Sequence, residues 1–197
     1  SPSSAASDVY KRQDPEGAKK LLEESGWTDT DGDGYVDKDG QKLSINWLTY
    51  PTRLEQPKLA EYAQATLKDI GIDVVVNNTS DHMTIAKNGD FDVYVSSTTT
   101  APTGDPEYFF TSTVTGAKNY GNYQNEEVTK LTDQLHQTFD KDERAKLAVE
   151  LQQDILDDDA FFFVSHLNMG IVTKSNVTGM AAHPCDYYEI TADLDVK

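Results

Sequence analysis

The feature that most constrains the fold is an alternation of strand-like and helix-like segments between residues 43 and 95. Leu43, Ile45 and Trp47 alternate with more polar neighbours, which is typical of a strand. The rest of the alternation consists of an amphipathic helix over 54–70, a β-branched strand over 72–76, a short helix over 81–88 and a strand over 91–95. This order predicts an α/β fold with at least some parallel strand pairing.

Helical and strand-like patterns also flank this region. A helix is predicted to begin at Asp14-Pro15, because aspartate caps free backbone amides and proline suits the first helical position. Gly26 ends this helix. The remaining predictions are a polar segment over 96–125, helices over 126–139 and 141–156, a strand over 161–172 and an irregular segment over 175–197.

Charge and composition exclude several classes of protein. The 197 residues include 34 acidic and 17 basic side chains, so the formal net charge is −17. A surface this acidic repels nucleic acid and anionic membranes, and nucleic acid is therefore not an expected partner. Cys185 is the only cysteine, which excludes an internal disulfide. The sequence contains no run of about 18 apolar residues, the length that a membrane-spanning helix needs.

The first residues do not fit the pattern of the rest. Residues 1–13 are small and polar, and the stretch 8–13 resembles translated adapter sequence. We therefore predict a non-native or disordered head over 1–13, with the native sequence beginning near Asp14. No charged-then-apolar signal peptide precedes it, so a secreted protein would have its true N-terminus upstream.

A series of short motifs in a fixed order resembles one large family. They are Gly26-Trp27 with the acidic turn 29–34, Gly71 to Val74, Phe91 to Tyr94, Gly104 to Phe110, Asn119 to Tyr123, Glu143-Arg144 and Leu151 to Ile155. Each motif is weak alone, but their common order resembles the extracellular solute-binding proteins of family 5. These are the peptide- and nickel-binding components of ABC importers.

The resemblance implies an α/β fold of the periplasmic-binding-protein type, a two-lobed clamshell with a mixed sheet flanked by helices. Residues 14–160 would form the second lobe, and 161–197 a hinge-crossing strand and a C-terminal return segment. The implied partners are a peptide or a nickel chelate, a membrane-embedded ABC permease and a missing N-terminal lobe. The implied protein is a monomer, either extracellular and anchored through a missing lipoprotein signal, or periplasmic.

The stretch from Thr98 to Phe110 is the expected ligand-facing segment. Within the resemblance, the predicted ligand-binding residues are Thr99, Thr100, Ala101, Pro102, Thr103, Asp105 and His166. Dipeptide-binding relatives carry an aspartate amine anchor where this chain has Pro102, so the segment looks more similar to the nickel-binding branch. That branch's own aromatic residues and histidine are absent here. Asp105 has a structural alternative, a helix N-cap before Pro106, and the alternative for His166 is an ordinary hydrogen-bonded histidine.

An acidic loop follows the first helix. Asp29, Asp31, Asp33, Tyr35 and Asp37 occupy positions 1, 3, 5, 7 and 9 of an EF-hand-like spacing, with the Tyr35 carbonyl at position 7. Position 12 is Gly40 in place of the usual bidentate glutamate. Two interpretations stay open, a structural Ca²⁺ site and a plain acidic turn. The former would allow an alternative function, a calcium-binding extracellular interaction module.

Nothing in the sequence indicates catalysis. It contains no Gly-rich phosphate loop and no Gly-x-Ser-x-Gly elbow. His183, Cys185 and Asp186 lie together, but Pro184 between them favours a loop turn over a metal site. We therefore expect a binding protein that is not an enzyme and that requires no cofactor.

Overall fold

The computed structural model describes residues 14–98, 104–165, 171–181 and 191–197. The chain divides into two compact units between Ser96 and Ser97, and each is described by itself. Within the described ranges, no helix combines the length and the apolar character needed to cross a bilayer.

The first unit contains a parallel sheet with helices. Its elements are α1 (Pro15–Glu24), β1 (Asp37–Lys38), β2 (Gln41–Lys42), β3 (Ser44–Thr49), α2 (Glu55–Lys68), β4 (Asp73–Asn78), α3 (His82–Asn88) and β5 (Val93–Tyr94). The strands β1 and β2 form a separate antiparallel hairpin. The predicted order of strands and helices between residues 43 and 95 is therefore confirmed.

The sheet has the order β4-β3-β5, and both pairings are parallel. Ser44 pairs with Asp73 at one end of the β3–β4 ladder, and Thr49 pairs with Asn78 at the other. The strand β3 lies in the centre. The connection from β3 through α2 leads outward to β4, and the connection from β4 through α3 leads back past β3 to β5, so the two run in opposite directions across the sheet. Right-handed crossovers then place α2 and α3 on opposite faces.

Local capping explains where the helices begin and end. The Asp14 carboxylate accepts a hydrogen bond from the Gly17 amide at 2.8 Å, as the sequence predicted. Gly89 ends α3 in the left-handed region with φ 76°, a conformation that costs glycine little. Asn125 and Asp140 cap the two long helices of the second unit in the same way as Asp14.

The second unit is built on a helical hairpin. Its elements are α4 (Glu107–Phe109), a π-helical turn (Phe110–Val114), α5 (Glu126–Gln137), α6 (Lys141–Asp157), β6 (Val177–Thr178) and β7 (Asp195–Val196). Its buried core consists of Phe110, Val114, Val128, Leu131, Leu135, Leu147, Ala148, Leu151 and Ile155. The half-buried rings of Phe109, Tyr123, Phe161 and Phe163 pack against that core.

Two sequence predictions need correction. The strand predicted over 161–172 is wrong for residues 161–165 and 171–172, which belong to no strand. Phe161 and Phe163 pack against core side chains, and no described strand forms a ladder with them. A strand requires such a ladder, so alternation alone could not produce one. The hinge-crossing role of 161–197 stays a prediction.

The polar segment 96–125 is the second correction, because it contains α4 and the π-helical turn. Val114 and Phe110 are buried there, although the surrounding sequence is polar. Gly116 follows the turn closely, and a Cβ at this position would lie 1.9 Å from the Thr111 carbonyl oxygen. The turn therefore requires a glycine at this position.

Candidate functional site

The carboxyl end of the parallel sheet is a topological switch point. The strands β3, β4 and β5 all end at this edge, at Thr49, Asn78 and Tyr94. The connections that leave β3 and β4 run to opposite sides of β3. In open α/β sheets, ligands bind in the crevice outside the carboxyl ends of the strands at such a point.

Aromatic side chains cover part of this edge. Tyr50 directly follows β3 and is 8% exposed, and its ring stacks on His82 with centroids 4.1 Å apart. The His82 Nδ1 lies 2.8 Å from the Tyr94 hydroxyl at the end of β5. The three side chains thus connect the ends of β3 and β5 with the start of α3. Rings with a polar tip are common in small-molecule sites, because they supply both contact area and a hydrogen-bonding group.

Buried polar atoms without partners lie in the same region. Thr49 is fully buried and Gln56 is 3% exposed. The Thr49 Oγ1 and Gln56 Oε1 atoms have no hydrogen-bond partner, and neither do Glu55 Oε1 and Trp47 Nε1. Buried polar groups are nearly always hydrogen-bonded, so this group requires an explanation. Sequence reasoning missed these residues, because a threonine at the end of a strand that already contains Ser44 and Asn46 gives no distinctive signal.

The predicted ligand segment is only partly described. Thr99, Thr100, Ala101, Pro102, Thr103 and His166 lie outside the described residues. Asp105 is described, and it accepts a hydrogen bond from the Glu107 amide at 2.9 Å. This contact agrees with the structural alternative of a capping aspartate before Pro106. A ligand-binding role for the segment stays a prediction.

Arg144 organises the surroundings of Asp105. Its Nη2 lies 2.7 Å from Asp105 Oδ1 and 2.8 Å from Glu107 Oε2. Its Nη1 donates to the carbonyls of Leu135 and Thr138 at the end of α5, at 2.7 and 2.6 Å. One guanidinium therefore joins α6, the end of α5 and the start of α4, and sequence analysis saw Arg144 only as part of a family motif.

The same contacts shift the titration of the acids. Burial alone would raise the pKa of Asp105, but hydrogen bonds from Arg144 and the Glu107 amide lower this pKa below its ordinary value. The pKa of Glu107 is also lowered, by Arg144 first and by His136 second. The His136 Nδ1 lies 2.5 Å from Glu107 Oε1. Both acids are therefore held in the charged form, and Asp105 has a protein cation as its partner.

The acidic loop brings together three of its five predicted ligands. Carboxylate oxygens of Asp29, Asp31 and Asp37 lie within 4.8 Å of one another. The loop's own backbone already donates to these groups, for example Gly32 N to Asp29 at 2.7 Å. Thr30 hydrogen bonds lower the pKa of Asp37. Calcium takes about six to eight oxygens, so three carboxylates would need carbonyl and water ligands too.

Asp33 is not part of this group. Its Oδ1 instead accepts a hydrogen bond from the Tyr35 amide at 2.8 Å. A structural Ca²⁺ at Asp29 to Asp37 stays a prediction, which a calcium titration of the melting temperature tests.

A comparison with protein-family models identifies the family of this chain. The family model described as "Bacterial extracellular solute-binding proteins, family 5 Middle" matches residues 1–121. The chain belongs to this family. The matched range includes residues 1–13, which the sequence analysis set apart as a foreign head, and that boundary stays a prediction.

The relatives that this chain matches are named for oligopeptide binding or for nickel binding. The oligopeptide-binding protein AppA of Bacillus subtilis is 31% identical over 179 residues, covering 88% of this chain and 33% of AppA. The structure of AppA in complex with a nonapeptide has a TM-score of 0.64 at 30% identity, covering 75% of this chain and 30% of that one. The structure of Staphylococcus aureus NikA with Ni(L-His)2 has a TM-score of 0.62 at 30% identity, covering 72% and 29%.

These matches confirm two expectations from the sequence. This chain has the expected α/β fold, with a sheet flanked by helices, and it matches the structures of its relatives AppA and NikA. The motif order in the sequence was therefore a sound indicator of the family. The chain spans about a third of the length of the relatives it matches.

Proposed function

We propose that this family-5 chain is part of the substrate-binding component of an ABC importer for peptides or nickel chelates. Support comes from the family match and from relatives named for oligopeptide and nickel binding. The observation that carries the proposal is the switch point at the carboxyl edge of the sheet. There, Tyr50, His82 and Tyr94 form an aromatic surface beside buried polar atoms without partners.

The chemistry of this edge suits binding more than catalysis. The His82 ring stacks on Tyr50, and its Nδ1 is hydrogen-bonded to the Tyr94 hydroxyl. These contacts hold the imidazole in place and suit a binding surface. The proposal therefore includes the expectation that the protein is not an enzyme. Transport proteins of this kind need a ligand-shaped surface and a closing motion, and neither requires a catalytic group.

The choice between the two ligand classes rests on different residues. Pro102 stands where dipeptide-binding relatives would carry the acidic amine anchor, which favours nickel chelates over dipeptides. Longer peptides remain compatible, since AppA was solved with a nonapeptide. NikA was solved with Ni(L-His)2, which makes nickel with histidine the natural first chelate to test.

We also propose the partners and the location of the whole protein. A second lobe would complete the cleft, and an ABC permease would receive the ligand. The family description supports an extracellular position, and a lipoprotein anchor or a periplasmic location would hold the protein near the permease. A monomer is sufficient for this role.

Thermal-shift screening of the full-length protein tests the proposal. The ligands are peptides of two to nine residues, nickel with histidine, nickel with opine-type chelators, and free histidine as the control for nickel. A rise in melting temperature with either class supports an importer's binding component. Stabilisation by peptides alone would exclude nickel chelates as the ligand class. If none of these ligands raises the melting temperature, the proposal is contradicted.

A further inference from the structure

We infer that the Nε2 atom of His82 binds the metal ion of a nickel chelate, and that Tyr94 orients the imidazole ring for this role. The inference rests on the proposed function, because it chooses one ligand class for the same sheet edge and names a contact that this ligand makes. Neither the family match nor the names of the relatives assign these two residues a role.

Two contacts hold the His82 ring at the carboxyl edge of the sheet. The ring stacks on Tyr50, with centroids 4.1 Å apart and planes inclined by 20°. Its Nδ1 lies 2.8 Å from the hydroxyl of Tyr94, the last residue of β5. Tyr50 follows the end of β3, which pairs with β5, so the ring contacts the ends of two neighbouring strands. With one face and one nitrogen held, the other nitrogen has a defined position.

The second nitrogen of this ring has no partner in the described part of the chain. His82 is half-buried, and its hydrogen bond to Tyr94 uses Nδ1 and leaves Nε2 without a bond. Nε2 also keeps contact with solvent, unlike the buried unpartnered oxygens of Thr49 and Gln56. A ligand that approaches this edge can therefore reach Nε2 without displacing a protein group.

The contacts around Tyr94 suit the tautomer that a metal ligand requires. A metal ion on Nε2 takes the lone pair of that atom, so the ring hydrogen of His82 is then on Nδ1. In this tautomer Nδ1 donates to the Tyr94 oxygen, and the Tyr94 hydroxyl donates to Met83 Sδ at 3.9 Å. Metal-ligating histidines usually donate their other N–H in this way, which fixes both the tautomer and the ring orientation.

The surroundings of His82 favour a chelate over a bare metal ion. Within the described residues, the group of side chains placed to hold an ion by themselves is Asp29, Asp31 and Asp37, and it does not include His82. An ion at His82 therefore receives one nitrogen from these residues and takes its further ligands from a chelator. Imidazole nitrogen suits nickel, and a chelator that leaves a coordination position open allows Nε2 to bind.

The probes for the test are nickel iminodiacetate and nickel with one equivalent of histidine, both added to the full-length protein. Iminodiacetate is tridentate and contains no imidazole, so any imidazole found on its nickel comes from the protein. Titration calorimetry measures the affinity for both probes, and X-ray absorption at the nickel edge detects the imidazole. We expect one protein imidazole on the nickel of bound nickel iminodiacetate.

Two variants separate ligation from orientation. His82→Gln keeps a hydrogen-bonding side chain but removes the imidazole, so it should abolish the imidazole signal and weaken the binding of both probes at least about tenfold. Tyr94→Phe keeps the aromatic ring but removes the orienting hydroxyl. It should weaken binding about tenfold and leave the imidazole on the nickel. If His82→Gln does not fold, the parent spectrum and Tyr94→Phe still decide the question.

His136→Gln is the matched control. It removes an imidazole that is 70% exposed and belongs to the second unit, so the affinity for both probes should stay unchanged. An equal loss of affinity in this variant would identify capture by surface histidines and overturn the inference. A parent spectrum without imidazole, or unchanged binding in His82→Gln, would overturn it too.

The same measurements distinguish the inference from the proposed function. Stabilisation by peptides, or by nickel with histidine independently of His82, would overturn the inference while the proposed function stands. If neither nickel probe binds and nothing in the ligand screen raises the melting temperature, both fail.

Discussion

Replacing Arg144 with methionine is expected to destabilise the second unit strongly. The Arg144 side chain is 14% exposed, and its guanidinium donates to Asp105, Glu107 and two carbonyls at the end of α5. Removing one partner of a fully buried ion pair costs about 3–5 kcal/mol. Asp105 is 37% exposed and Glu107 23%, so water can replace part of the lost interaction. We therefore expect a loss of about 2–3 kcal/mol in the free energy of unfolding.

Thermal unfolding at neutral pH measures this loss. For a protein of this size, a change of this magnitude lowers the melting temperature by about 4–12 °C. Lys146→Met is the control on the same helix, because the Lys146 side chain is 77% exposed and its pair with Glu143 is 3.8 Å long. Its expected cost is below about 0.5 kcal/mol. Equal melting temperatures for the two variants would refute the argument from burial and hydrogen bonding.

The same pair of variants gives a pH test. Because the pKa values of Asp105 and Glu107 are lowered in the folded state, their stabilising contribution is present above the unfolded pKa of about 4. It is lost as the pH falls through the lowered folded values. The difference between the parent protein and Arg144→Met should therefore shrink steadily below about pH 4. A difference that stays constant down to pH 2 would mean that Arg144 acts through packing alone.

Three further predictions concern the helical hairpin. Leu151→Ala removes a fully buried side chain and should cost about 2–5 kcal/mol, measured by denaturant unfolding. Asp140→Ala removes the cap of α6, whose carboxylate accepts from Asp142 N at 3.1 Å and Glu143 N at 3.0 Å, and should cost about 1 kcal/mol in the same assay. Burial, followed by the hydrogen bond to Asp158, raises the pKa of Tyr123 to about 12, so its stabilising contribution is lost above about pH 10. A phenolate absorbance titration should show one late-ionising tyrosine that Tyr123→Phe removes, and an unchanged titration curve would contradict this assignment.

The sequence predicted the layered part of the fold well because the signals there are local. Alternation marked β3, helical spacing marked α2, and the cap at Asp14 formed as expected. The strand predicted over 91–95 is shorter in the structure, spanning Val93–Tyr94. Just before it, the Asp92 amide donates to the Asn46 carbonyl at 3.0 Å, but the Asp92 carboxylate accepts the hydrogen bond of the Asn46 amide at 2.7 Å. A side chain that accepts one of these two hydrogen bonds has no periodic signature.

Contacts between distant residues could not be predicted in the same way. Arg144 and Asp105 are 39 positions apart, and nothing in either neighbourhood indicates the pair. Asp158 follows the end of α6, and it accepts hydrogen bonds from Tyr123 and Asn125, 35 and 33 positions earlier in the chain. The buried Gln56 oxygen is also invisible in the sequence, because only the folded structure shows that it has no hydrogen-bond partner.

Hydrogen–deuterium exchange on the full-length protein, with and without the best peptide or nickel chelate from the ligand screen, tests the central claim most directly. We expect ligand to slow exchange at residues 49–56 and at the end of β5, around Tyr94, because these form the carboxyl edge of the sheet. Amides within α6, which belongs to the second unit, should exchange at the same rate in both states. Protection confined to α5 and α6, with none at 49–56, would contradict the assignment of the ligand site to the sheet edge.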